Sequence, residues 1–312
     1  MERSKKLNLL GIILLFSATI VWGSSFFILK STIEQVPAFY VIAIRFLIAG
    51  IGLALIFWRK TKALDKKTFL RGVIIGAVLA AAYATQTIGL KYTSPGKNAF
   101  LTSSYCIMCP FIVWLIYKVR PKLYHVISAI LCLVGIGLVS LSGLSASEGI
   151  NFMGDGLTLV SAVFFALQII FIDRYQEQGY DSIKMLVVEV ITVGVLIMLL
   201  SLIFELPEGI STFALNGEQI WKILYLTVVC TLYAQFALIF GQRFTNVNEA
   251  SIILCLESVF GTLFSIIFTG EYLSPPVIVG FVVIFIAMLI SELKLDLVER
   301  FKRKSAQKLN KD

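Results

Sequence analysis

The sequence predicts an all-α integral membrane protein of ten transmembrane helices, arranged as two inverted five-helix repeats. Three observations carry that expectation. Of 312 residues, 58% are hydrophobic and only 15% charged, and the mean hydropathy of +0.89 is far from that of a soluble domain. Apolar windows of about 20 residues recur along the chain, the length a helix needs to cross a hydrocarbon core about 30 Å thick. Lys and Arg cluster in alternate breaks between these windows. The runs are continuous, whereas a membrane barrel uses strands of about 10 alternating residues, so the fold is a helical bundle.

In chain order the predicted spans are Leu9 to Leu29, Ala38 to Phe57, Leu70 to Leu90, Ala99 to Tyr117 and Leu123 to Leu141, then Leu157 to Phe171, Ile183 to Phe204, Ile220 to Phe240, Val247 to Thr269 and Pro275 to Leu293. The sixth is the shortest. The first is read as a span, not a signal peptide, because its apolar run is too long and lacks an A-x-A cleavage pattern.

Orientation follows from the basic residues. Arg3, Lys5 and Lys6 share one side with Arg59, Lys60, Lys62, Lys66, Lys67 and Arg71, with Lys118, Arg120 and Lys122, with Arg174, Lys184 and Arg243, and with the tail from Lys294 to Lys311. The opposite side receives only Lys30, Lys91, Lys97 and Lys222, and Arg45 is left inside the membrane. Both termini are therefore expected in the cytoplasm, with the protein in the plasma membrane. Topology accounts for the net charge of +8, so no nucleic-acid partner is expected.

The two halves of the chain match each other. GLKYTS (Gly89 to Ser94) and GQRFTN (Gly241 to Asn246) close the third and eighth spans, and Arg45 and Glu189 stand at equivalent depths in the second and seventh. Five is odd, so the second copy must enter the membrane upside down. The repeats cover residues 1–144 and 152–294, split in a Gly/Ser-rich outer loop from Ser142 to Asp155, and 295–312 form a basic cytoplasmic tail.

Several residues are candidates for chemistry. Glu257 lies roughly 15 Å into the ninth span, near the bilayer midplane. A charge there costs on the order of 2.5–3.5 kcal/mol, so such residues mark pathways; the alternative is a protonated carboxyl bonded to a neighbouring helix. Arg45 and Glu189, nearer opposite faces, are structural or gating charges that do not pair with each other. Gly72 and Gly76 form a GxxxG packing motif in the third span. The five cysteines fall inside spans, so no disulfide framework is implied, and Cys106 and Cys109 lack a second pair or a histidine to make a metal site. His125 is a boundary residue. No phosphate-cradling GxxxxGK[ST], HExxH or GxSxG occurs, which argues against an ATP motor and an enzyme, and no catalytic residue, metal or cofactor is expected.

The run Trp22-Gly23-Ser24-Ser25-Phe26 with Lys30, Arg45-Phe46, Gly89-Leu90-Lys91-Tyr92-Thr93, Asn98-Ala99-Phe100-Leu101-Thr102 with Pro110, and Leu256-Glu257-Ser258-Val259 with Gly270-Glu271 together resemble the EamA-type branch of the drug/metabolite transporter superfamily. The resemblance covers nearly the whole chain. It implies ten helices as two inverted EamA repeats around a central cavity lined by spans one, three, four, six, eight and nine. The family often has Pro after the glutamate of the ninth span; Ser258 here implies a less kinked helix beside Glu257. On the implied cavity the polar candidates are Glu257, the three amides Gln86, Gln168 and Gln235, and Tyr83, Trp22 and Tyr105; Tyr83 and Gln86 share one helical face. The expected function is secondary transport of an amine, amino acid or amphipathic cation by alternating access, with protons as a candidate coupling ion. A passive channel and a non-transporting receptor or scaffold are the alternatives. The expected partners are a small-molecule substrate and the lipid bilayer, with the chain a monomer or homodimer.

This topology is testable directly. Single-cysteine labels at Ser147 and Ser305 are expected to react with an impermeant reagent from opposite sides of the membrane; equal labelling of both in intact cells would contradict the span count or the orientation.

Overall fold

The computed structural model describes residues 2–141, 152–208, 215–245 and 247–292; Ser147, Ser305 and the basic tail lie outside them. Among the described residues the chain is helical, with no strand. The main helices are α1 (Glu2–Ile33), α2 (Ala38–Ile56), α3 (Lys66–Tyr92), α4 (Pro95–Tyr117), α5 (Leu123–Leu141), α6 (Phe152–Glu177), α7 (Ser182–Phe204), α8 (Gly217–Phe244), α9 (Val247–Thr269) and α10 (Pro275–Glu292). Seven of them, α1 to α4 and α6 to α8, are long and apolar enough to cross a membrane, and α5, α9 and α10 contain the shorter apolar segments Leu123–Leu138, Leu256–Thr269 and Pro275–Ile290. The chain is a multi-pass membrane protein.

Three features depart from the sequence expectation. The sixth span is not short: α6 runs for 26 residues, because Asp155 near its start is neutralised by Lys97 at 3.0 Å and the helix continues through polar residues to Glu177. Secondly, α4 breaks at Ser104, between Pro95–Ser103 and Tyr105–Tyr117, where Ser103 and Ser104 turn their hydroxyls back onto the carbonyls of Ala99 and Leu101. Finally, α8 contains a π-helical turn, Val228–Tyr233. The helix α9, in contrast, runs unbroken through Glu257 and Ser258.

Helix ends are closed partly by local caps and partly across the molecule. Asp65 caps α3, its carboxylate accepting from the backbone N–H and hydroxyl of Thr68, which hold the carboxyl below its usual pKa. Asp181 caps α7, its carboxylate accepting from the backbone N–H groups of Ile183 and Lys184. Pro37 leaves α2 without a side-chain cap, and Glu205 beyond the end of α7 supplies it, accepting from the N–H groups of Phe39 and Tyr40 at 2.8 and 2.9 Å. Glu271, past the end of α9, likewise accepts from the N–H of Gly96 at 3.1 Å and binds the Ser94 hydroxyl at the start of α4. In both cases one half of the chain finishes a helix of the other.

The packing is nearly unchanged when the halves are exchanged. α2 packs on α7, α4 on α9 and α5 on α10, each on its own counterpart, while α1 packs on α8 and α9 as α6 packs on α3 and α4. Lipid tails are as apolar as leucine, so these contacts rest on close approach, which small residues permit. A Cβ on Gly50 would stand 2.7 Å from Ile191, and one on Gly194 would stand 2.8 Å from Leu47. These are the same contact made twice, since Arg45, Leu47 and Gly50 correspond in order to Glu189, Ile191 and Gly194. The GxxxG pair of α3 also meets α7, Gly76 facing the Glu189 carbonyl and Gly72 that of Met185.

Gly194→Ala is therefore expected to lower the melting temperature in detergent, by an overpacking cost of about 1–3 kcal/mol. Gly156→Ala, at a helical position where a Cβ meets nothing within 4 Å, is expected to leave it unchanged or raise it. Equal effects would contradict the close crossing of α2 and α7.

Candidate substrate cavity

Six helices turn side chains into one central cavity: Trp22, Ser25 and Phe26 from α1, Tyr83 and Gln86 from α3, Thr102 and Tyr105 from α4, Phe165, Gln168 and Ile169 from α6, Gln235 and Leu238 from α8, and Leu254 and Glu257 from α9. The seven polar and aromatic candidates named from the sequence all lie in this lining. The other seven are mostly apolar or small, and carry no polar signal that stands out inside a hydrophobic span.

A ruler for them was nevertheless present in the repeat. Gly241 of α8 packs against Leu15 and Gly11 of α1 as Gly89 of α3 packs against Thr158 and Gly154 of α6, which sets the register of the two halves. In that register the lining divides into Trp22 with Phe165, Ser25 with Gln168, Phe26 with Ile169, Tyr83 with Gln235, Gln86 with Leu238, Thr102 with Leu254, and Tyr105 with Glu257. Every lining residue has its counterpart in the lining, so the cavity sits on the pseudo-two-fold axis. Its free volume is about 50 Å³, room for a few water molecules.

The polar groups differ in how they are satisfied. Trp22 donates its indole N–H to the Cys230 carbonyl at 3.1 Å, and Ser25 its hydroxyl to the Trp22 carbonyl at 2.7 Å. Gln86 donates from Nε2 to the Thr102 hydroxyl at 3.1 Å, and Gln168 from Nε2 to Glu189 Oε1 at 2.6 Å. Glu257 is only 8% exposed, yet among the described residues it makes no hydrogen bond and no ion pair. Gln235 likewise has no hydrogen-bond partner among the described residues. Tyr83 is wedged between the rings of Phe46 (4.8 Å) and Phe165 (5.5 Å), within electrostatic reach of Arg45, Glu257 and Glu189.

Arg45 and Glu189, each 1% exposed, do not line the cavity but stand one residue behind its wall. The Arg45 guanidinium lies 5.4 Å from the centre of the Tyr83 ring, donates to the Cys230 carbonyl at 3.3 Å and binds the Thr231 hydroxyl. Both acceptors belong to the π turn, and Thr231 itself donates to the Leu226 carbonyl five residues back at 2.9 Å. Glu189 stands behind Gln168. No ion pair joins Arg45 to a carboxylate among the described residues, and no group of three or more His, Cys, Asp or Glu there is placed to hold a metal.

Comparison with known proteins agrees with this two-part architecture. The EamA-like transporter family matches residues 9–141 and again 152–292, one match for each half. An uncharacterized transporter of Archaeoglobus fulgidus is 31% identical over 276 residues, covering 88% of this chain and 83% of its own. The uncharacterized transporter YoaV of Bacillus subtilis is 21% identical over 276 residues, covering 87% of this chain and 92% of its own. A solved crystal structure is similar in fold with a TM-score of 0.66 at 16% identity, covering 92% of this chain and 98% of that one. With both halves matched and a relative above 30% identity along most of its length, the chain belongs to the EamA-like transporter family.

Proposed function

We propose that the protein is a secondary active transporter that moves a small organic metabolite by alternating access, with Glu257 as the residue that binds the substrate or couples its movement to protons. Ten crossings as two inverted repeats, cytoplasmic termini and a plasma-membrane location belong to this reading. It is supported first by Glu257 itself, a carboxyl in the middle of an apolar bundle, facing a cavity with no hydrogen bond to hold it among the described residues. A carboxyl serving as helix glue would have a partner on a neighbouring helix.

The lining from both halves supplies the rest. A cavity on the axis between two equivalent five-helix units can open to one side or the other by rocking one unit against the other, without rebuilding the site. At about 50 Å³ the cavity is too narrow for a metabolite, so loading requires it to widen. A substrate or proton that binds Glu257 differently in the two states provides the differential free energy that coupling requires. Amines, amino acids and amphipathic cations fit an acidic centre flanked by Trp22, Tyr83 and Tyr105. A passive channel and a scaffold leave the isolated carboxyl without a task.

Glu257→Gln keeps the size and hydrogen-bonding capacity of the side chain but removes its titration. In proteoliposomes the variant is expected to fold and to keep downhill exchange, while concentrative, pH-dependent accumulation is lost. Wild-type accumulation with a wild-type pH profile would place coupling elsewhere.

A further inference from the structure

Resting on the transporter reading, we propose that the cavity selects a protonated primary or secondary amine that carries no carboxylate, and that Glu189 sets this preference by fixing how the Gln168 amide faces. Gln168 donates from Nε2 to Glu189 Oε1 at 2.6 Å, an arrangement that leaves its carbonyl oxygen for the cavity. Gln86 turns its nitrogen to Thr102, and Trp22 and Ser25 direct their donors to backbone carbonyls. Neutral donors remain in the Tyr83 hydroxyl and in the second N–H of each amide, so what the lining lacks, among the described residues, is a cationic donor.

Among the described residues no Lys or Arg lines the cavity. Arg45 is screened by the Tyr83 ring and held by the π turn of α8. A substrate carboxylate would meet the like charge of Glu257 with only neutral donors, the amide N–H groups among them, to offset it. An ammonium meets the opposite situation: its N–H groups can donate to Glu257 and to the Gln168 carbonyl in charge-assisted bonds, with the Trp22 face beside them. A quaternary ammonium carries the charge but no N–H, and forfeits those bonds.

The matched probes are isoamylamine, leucine, which is the same skeleton with a carboxylate added, and isoamyltrimethylammonium. An alkylamine is protonated at pH 7, as a lysine side chain with pKa about 10.4 is. Binding to the purified full-length protein is read from the ligand-induced rise in melting temperature over a concentration series. Isoamylamine is expected to bind at least about tenfold more tightly than either of the others, a difference of about 1.4 kcal/mol. Glu189→Leu, which releases the Gln168 amide, is expected to narrow the isoamylamine-to-leucine ratio about fivefold or more, whereas Glu189→Gln retains it because an amide oxygen there still accepts from Gln168. A purely structural role for Glu189 would weaken all ligands together and leave the ratio unmoved. Should Glu189→Leu fail to fold, Gln168→Leu is expected to narrow the ratio in the same way.

Leucine binding as tightly as isoamylamine, a ratio insensitive to these variants, or no binding by any of the three probes would overturn the inference. The readout is affinity and not flux, so leucine carried in proteoliposomes would remove the amine selectivity while leaving the transporter reading intact.

Discussion

Glu257 is a carboxyl without a hydrogen bond among the described residues, inside an apolar bundle, and the surrounding structure depends on making that tolerable. Hydrocarbon offers a polar group nothing, so each buried charge must be met by protein or by water held in protein. Arg45 is met by the π turn and by the rings of Phe46 and Tyr83, and Glu189 by Gln168. Glu257 alone of these three faces open space. Six helices, three from each half, converge to wall that space off, and the close crossings at Gly89 and Gly241 let four of them, α1, α3, α6 and α8, approach.

The two halves share their packing and differ in local backbone, at the break of α4 and the π turn of α8, and in chemistry. Across the pseudo-axis Tyr105 answers to Glu257, Tyr83 to Gln235 and Ser25 to Gln168, so the first half contributes rings and hydroxyls while the second contributes the amides and the acid. Gln86 from the first half and Phe165 from the second are the exceptions. The same divergence appears behind the wall, where Arg45 and Glu189 occupy corresponding positions with opposite charge. The shared scaffold gives the cavity its place, and the divergence gives it a polarity for binding one end of an asymmetric solute.

Much of this was legible in the chain because the bilayer imposes simple rules. Hydrocarbon thickness sets the length of an apolar run, and polar side chains inside such runs are rare enough to stand out, so Glu257 could be named from position, and Gln86, Gln168 and Gln235 from position together with the cavity spans that the family resemblance implies. Apolar members of the same lining, such as Phe26, Ile169 and Leu254, look like any lipid-facing residue until the repeat register is applied. The break at Ser104 and the π turn of α8 were hidden for a different reason. Irregular backbone is stabilised by contacts from distant segments, as when Arg45 binds Thr231, and no local pattern records them. The helix α6 extends past the apolar window Leu157 to Phe171 at both ends, because the helix continues through polar residues that interrupt the window: Asp155, satisfied by Lys97 and Thr93, and Asp173 to Glu177.

The most direct test of the central role given to Glu257 is infrared difference spectroscopy of the protein with and without isoamylamine, with Glu257→Gln as the reference. The account predicts a ligand-induced change in a carboxyl band that is present in the wild type and absent from the variant. A difference spectrum in which that band persists unchanged in Glu257→Gln would show that the ligand acts on another carboxyl, and would contradict the account.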